Sequence, residues 1–228
     1  MPTYFITAID TDAGKTVATG LLAKNFMEQG YSVITMKIAQ TGCKAFSDDI
    51  LEHRRIMGID LTEDDKAGIT CPYIFNLPAS PHLAARKENT SINTKKIVEN
   101  LRYLESKYDI VLVEGVGGLL VPLNDQDTVL DFILQNHLKV ILITSAKLGS
   151  ISHSHLTVDV CHHHHVDLYG IIYNHFHQEI HEIVMDSGTQ IMNFARQYYP
   201  MIRWGEIPTF NDLSENHEMN LNQFLKIS

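Results

Sequence analysis

Short, strongly apolar runs alternate along the chain with longer amphipathic ones, and that alternation sets the expected architecture. "TYFITAI" at 3–9 predicts a buried strand; after a polar turn, Val17, Leu21, Leu22 and Phe26 recur at helical steps until Gly30 stops them. "YSVITMKI" at 31–38 predicts a second strand. Residues 94–108, "TKKIVENLRYLESKY", predict a helix running into "DIVLVEG", where Ile110, Val111, Leu112 and Val113 form the continuous β-branched-rich run of a central parallel strand. "TVLDFILQNH" then returns as a helix to the strand "KVILITS" at 139–145. Residues 150–165 form a helix feeding "LYGIIYN", and 181–199 a helix before the last strand, "MIRWGEIP". Repeated strand, helix, strand units imply an α/β fold with a mostly parallel sheet and helices on both faces. Without a Gly, Ser or Pro-rich linker or an internal repeat, residues 1–228 are expected to form one domain.

The turn after the first strand carries the first chemistry. "TAIDTDAGKT", Thr7 to Thr16, ends like a phosphate-binding loop, but counting back from Gly14 puts Ile9 where a standard loop has its first glycine. A loop between a buried strand and a helix beginning near Lys15 offers free backbone N–H groups and the positive end of a helix dipole. Gly14 allows close backbone approach, Lys15 supplies a mobile cation and Thr16 a hydroxyl for magnesium. The alternative is a lysine that merely starts a surface helix after a turn glycine.

Composition narrows the class. At 228 residues, 44% hydrophobic and 20% charged, the chain is expected to be globular with a full core. A net charge of −9 disfavours a general nucleic-acid surface. With no basic amino terminus leading into a long apolar run, and no stretch of membrane-spanning length, a cytoplasmic protein is expected. Cys43, Cys71 and Cys161 are widely separated and are expected to be free thiols. The run Cys161 to His165 is not expected to bind metal, because consecutive histidines point in different directions at a helix end, where imidazoles suit the negative dipole.

Several segments resemble dethiobiotin synthetases. "AIDTDAGKT" fits that family's nine-residue Gly-Thr-Asp-Thr-Glu-Val-Gly-Lys-Thr frame, with Asp10, Thr11, Gly14, Lys15 and Thr16 matching, Asp12 in the glutamate position and Ala8 in that of the leading glycine. At the end of a strand, Ala8 is expected to be needed only for its small size. "MKIAQTG" is similar to the family's Lys-Pro-Val-x-Ser/Thr-Gly segment, "FSDDI" to its Ser-Asp motif placed on Ser47 and Asp48, and "LPASPHLAA" to its Pro-x-Ser-Pro-His-x-Ala stretch. "VEGVGGLLVPL" and "KLGSISHSHLT" resemble two further family segments, the second with Ser152 in an asparagine position; "YN" at 173–174 and "GEIP" at 205–208 follow in the family's order.

The resemblance implies a P-loop NTPase-like fold and an ATP-dependent ligase. Such an enzyme closes the cyclic urea of dethiobiotin from 7,8-diaminononanoate (diaminopelargonate) and CO2, through an N-carbamate and a carbamic-phosphoric anhydride, in biotin biosynthesis. It also implies a homodimer with the substrate at its interface, with neither nucleic acid nor membrane as partner. Lys37, Lys15 and Thr11 are implied as catalytic, and Thr16, Asp48 and Glu114 as ligands of Mg2+. Nucleotide contacts are implied for Asp12, Ala13, Gly14, Lys15, Thr16, Val17, Asp48, Glu114, Gly115, Val116, Gly117, Asn174, His175, Pro208, Thr209, Phe210 and Glu215. Substrate contacts are implied for Lys37, Thr41, Gly149, Ser150 and Ser152. The chemistry agrees with the residue types, since a carbamate meeting a triphosphate calls for lysines, magnesium and backbone donors. Asp49 rivals Asp48, because either could face the loop from the start of the following helix. The tyrosine usual in the family's helix after Asn174 is missing around Val184 and Met185. The main alternative is a nucleotide-dependent switch like the partitioning and septum-positioning ATPases, whose additional loop lysine is absent from Ala8, Ile9 and Asp10.

Overall fold

The computed structural model describes residues 2–176, 180–209, 221 and 223–224. Strands β1 (Thr3–Ala8), β2 (Val33–Lys37), β5 (Ile110–Glu114), β6 (Lys139–Ser145), β7 (Leu168–Asn174) and β8 (Arg203–Ile207) form a six-stranded sheet in the order β2-β5-β1-β6-β7-β8. Every pairing is parallel. Two-residue strands β3 (Gln40–Thr41) and β4 (Ile74–Phe75) make a separate parallel pair.

Period-two alternation divides the core. Phe5, Ile34, Met36, Val111 and Val113 pack to one side of the sheet with Leu101 and Leu104 of helix α5 (Thr94–Lys107) and Phe132 of helix α6 (Val129–Gln135). Tyr4, Ile6, Val33, Ile110 and Leu112 point to the other side, against Leu21, Leu22 and Phe26 of helix α1 (Lys15–Glu28) and Ile56 of helix α2 (Asp48–Met57). In the middle of α1, a Cβ on Gly20 would lie 2.9 Å from the Ile56 side chain, so glycine there lets the two helices close on each other.

Helices α7 (Ser150–His163) and α8 (His181–Tyr198) complete the layer that α5 begins. The expected helix at 150–165 stops at His163, and His165 adopts φ 55 as the chain turns back into β7. Periodicity does not reveal α2, α3 (Glu63–Lys66) or α4 (Pro81–Lys87), which fill the excursion between β2 and α5. Among the described residues no helix is long and apolar enough to cross a membrane.

Candidate active site

The carboxyl edge of the sheet, where β1, β2 and β5 end beside each other, gathers the charged residues. Gly14 takes φ 93 at the mouth of α1, and Lys15 folds back so that Nζ donates to the Asp10 carbonyl at 3.0 Å and toward that of Thr11 at 3.5 Å. The loop therefore closes around its own lysine. Burial, with Lys37 nearby, lowers the Lys15 ammonium to about 8. Ala8 lies fully buried in β1 and is not among the residues with positive φ, consistent with a position that demands small size and no glycine.

Parallel register puts Lys37 directly across from Glu114, both turned toward α1 and α2. Lys37 Nζ donates to Glu114 Oε1 at 2.7 Å and to the Gly115 carbonyl at 2.9 Å, and pairs with Asp49 Oδ2 at 2.5 Å. Thr16 Oγ1 joins the group from α1, donating to Asp49 Oδ1 at 3.1 Å or Glu114 Oε1 at 3.2 Å. Burial alone would lower the Lys37 ammonium, but Glu114 and Asp49 more than reverse it and hold it well above the ordinary lysine range. Burial likewise works to raise the Glu114 carboxyl, and Lys37 and His53 outweigh it, leaving a carboxylate far below its usual range.

The aspartate in this group is Asp49, not the expected Asp48. Ser47 caps α2 by accepting from the Ile50 N–H, which turns Asp49 and, one turn later, His53 toward the sheet. Asp48 falls a third of a turn away, is exposed, and lies with the Cys43 thiol. Sequence reasoning missed His53, Thr35 and Arg54. The His53 ring is fully buried, with Nε2 at 2.7 Å from Glu114 Oε2 and Nδ1 at 3.0 Å from Thr35 Oγ1. Asp49 and His53 at i and i+4 behind a serine cap are the signal that could have revealed them.

Other expected residues scatter around this centre. Thr11 and Asp12 are exposed on the loop, Ala13 is buried beneath it, and Val17 on α1 is half-buried, packed against the core on that side of the sheet. Gly115, Val116 and Gly117 leave β5, with Gly117 at φ 62. Asn174 ends β7, donating Nδ2 to the Ala13 carbonyl at 3.1 Å and accepting from the Phe176 N–H at 3.1 Å; a Cβ on Gly14 would fall 2.3 Å from its Nδ2. His175 pairs with Glu206 at 3.3 Å, and burial outweighs that partner to lower its imidazole. Pro208 and Thr209 follow β8; Phe210 and Glu215 lie outside the described residues. Thr41 sits in β3, and Gly149 takes φ 93 at the start of α7 with Ser150 buried and Ser152 exposed beyond it. In the histidine run, His162 stacks on Tyr198 at 4.4 Å while His163 turns to Asp159 at 3.4 Å.

A family described as "AAA domain" matches residues 2–217. An ATP-dependent dethiobiotin synthetase of Haemophilus ducreyi is 49% identical over 86% of this chain and 93% of its own length. One from Chlorobaculum tepidum is 43% identical over 90% of this chain and 84% of its own. Two solved structures share the fold: a ParA family ATPase from Chlorobium tepidum (TM-score 0.55, 15% identity, 92% of this chain and 85% of that one) and a MinC:MinD complex from Aquifex aeolicus (0.56, 16%, 92% and 83%).

Proposed function

The chain belongs to the dethiobiotin synthetase family, ATP-dependent ligases of biotin biosynthesis, and from that premise we propose how its residues divide the chemistry. The observation that carries the reading is the Lys37 ammonium held against Asp49 and Glu114 at the exit of β2, beside the loop that Lys15 closes. Lys15 takes the β- and γ-phosphates when nucleotide replaces the Asp10 carbonyl as its partner. Lys37 stands where a carbamate formed from one substrate amine and CO2 would meet the γ-phosphorus. Its charge stabilises the transferring group as ADP leaves. The remaining amine then attacks the carbamoyl carbon, phosphate departs, and the ring closes.

Thr16, Asp49 and Glu114 would hold Mg2+. All three offer hard oxygen, and an ammonium already stands on the two carboxylates, so the pocket is built for positive charge. Three protein oxygens would leave coordination positions for phosphate oxygens and water. Bound there, the ion neutralises charge on the triphosphate.

Asn174 keeps one N–H and one lone pair beyond its contacts to Ala13 and Phe176, the donor and acceptor that adenine requires. Thr41, with Gly149, Ser150 and Ser152, would take the diamine acid. Exposed Leu148 and Leu156 flank that second group, which supports a second copy of the chain covering it as a homodimer. Phosphate release from ATP, measured with and without diaminopelargonate and bicarbonate, tests the whole: a ligase releases phosphate only when both are present, whereas release indifferent to the diamine would assign the site to a nucleotide switch.

A further inference from the structure

We propose that His53 is a positioning residue for the ligase reaction: it ties one oxygen of Glu114 back into the protein so that the other faces Thr16 and Lys37. The inference rests on Glu114 being a ligand of the nucleotide-bound cation.

Hydrogen-bond chemistry fixes the direction of the chain that ends on Glu114. Arg54 can only donate, and it gives Nη1–H to Thr35 Oγ1 at 2.7 Å while Asp65 receives its Nε and Nη2 at 2.8 Å each. Thr35, having accepted from Arg54, has its own proton for His53 Nδ1. A carboxylate can only accept, so Nε2 carries the imidazole proton and donates it to Glu114 Oε2. With that tautomer every proton in the chain has an acceptor. Each member is buried, and Asp65 is also capped by Thr62 and Thr70, so the far end cannot drift.

The consequence falls on Glu114. Its Oε2 is held by His53, and Oε1 is left to Lys37 and Thr16. Helix α2 thus delivers Asp49 to the site and, one turn later, the group that sets the angle of Glu114. His53 is fully buried behind Glu114 Oε2 and takes no part in bond making. Outer partners of this kind change metal affinity by about 10- to 100-fold when removed.

Two substitutions of equal polarity and unequal reach separate positioning from mere packing. Glutamine at 53 places an amide N–H near the position of Nε2, whereas asparagine reaches only as far as Nδ1 and abandons Glu114. Binding of Mn2+ to the ADP complex, followed by calorimetry, should weaken by about tenfold or more in His53→Asn and stay close to wild type in His53→Gln. ADP binding without metal should hold in both. Equal Mn2+ affinity in His53→Asn and wild type, or an equal loss in both folded variants, overturns the proposal. A second measurement needs no destabilised variant: adding Mg2+ to the ADP complex of 15N-histidine-labelled wild type should shift the His53 ring resonance, assigned by its absence from His53→Gln, and an unmoved resonance overturns it too. Glu114→Gln in the same titration keeps the two readings apart. Unchanged Mn2+ binding there removes Glu114 as a ligand, while a loss there beside an unaffected His53→Asn removes only the role of His53.

Discussion

Lys37 and Glu114 stand opposite each other in the parallel pairing of β2 with β5, and their side chains meet at 2.7 Å with almost no solvent access. Neither charge is stable there alone. Lys37→Gln should therefore destabilise the protein, by about 3 kcal/mol if the buried carboxylate stays ionised. Turnover should fall by roughly 100-fold or more, because one preorganised charge is lost at the transition state. ADP binding should change little, since that role is proposed for Lys15 and the loop. Thermal melting, single-turnover phosphate release and ADP calorimetry on the same variant check the three parts. Near-normal turnover would remove Lys37 from the mechanism.

The two aspartates at the start of α2 give a sharper contrast. Asp49→Asn should raise the magnesium concentration needed for half-maximal turnover, whereas Asp48→Asn, exposed and off the site, should leave that titration where it is. The reverse pattern would return the ligand to Asp48.

Asp65 supplies part of the acid dependence, beside Glu114. Burial works to raise its carboxyl, but the Arg54 guanidinium beside it, with Thr70 and Thr62, wins and lowers it to about 2. A depressed acid stabilises the fold above its unfolded value near pH 4 and loses that contribution as pH falls through about 2. The contribution amounts to roughly 2 kcal/mol at neutral pH. Chemical denaturation of Asp65→Asn between pH 2 and 7 should show lower stability at neutral pH and a flatter acid limb; an unchanged acid limb would exclude Asp65 as a source of it.

Ala8→Gly should leave ATP binding intact and cost about 1 kcal/mol of stability, the usual penalty for glycine inside a strand. Markedly tighter nucleotide binding would mean that alanine strains the loop.

What the sequence revealed follows from how each element meets water. β5 and β6 were legible because strands covered on both faces are apolar throughout, and the phosphate loop because its Gly-Lys-Thr lies between such a strand and an amphipathic helix. Only the start of the helix carrying Asp49 was legible; its buried face was not. Its sequence, "DDILEHRRIM", has the composition of a solvated surface helix, yet His53 and Arg54 are buried. Their polar atoms are matched by Thr35, Glu114 and Asp65, residues distant in the chain, and no periodicity encodes such matching. The pair β3 and β4 is too short for any pattern to register. Asp48 and Asp49 could be told apart only once Ser47 was seen to cap the helix and fix its rotation.

The contact between Asn174 and Gly14 bears on how readily such a protein could change its fuel. Asn174, at the end of β7 and proposed to offer its amide to a base, also braces the turn proposed to take phosphate, through the Ala13 carbonyl and with no room for a Cβ on Gly14. An attempt to recode nucleotide preference at Asn174 would loosen or wedge the phosphate turn at the same stroke. Substitutions there would be felt by every nucleotide alike. A protein engineer seeking a GTP-driven variant would therefore do better to leave Asn174 in place and build new contacts farther along the edge of the sheet, around Pro208 and Thr209.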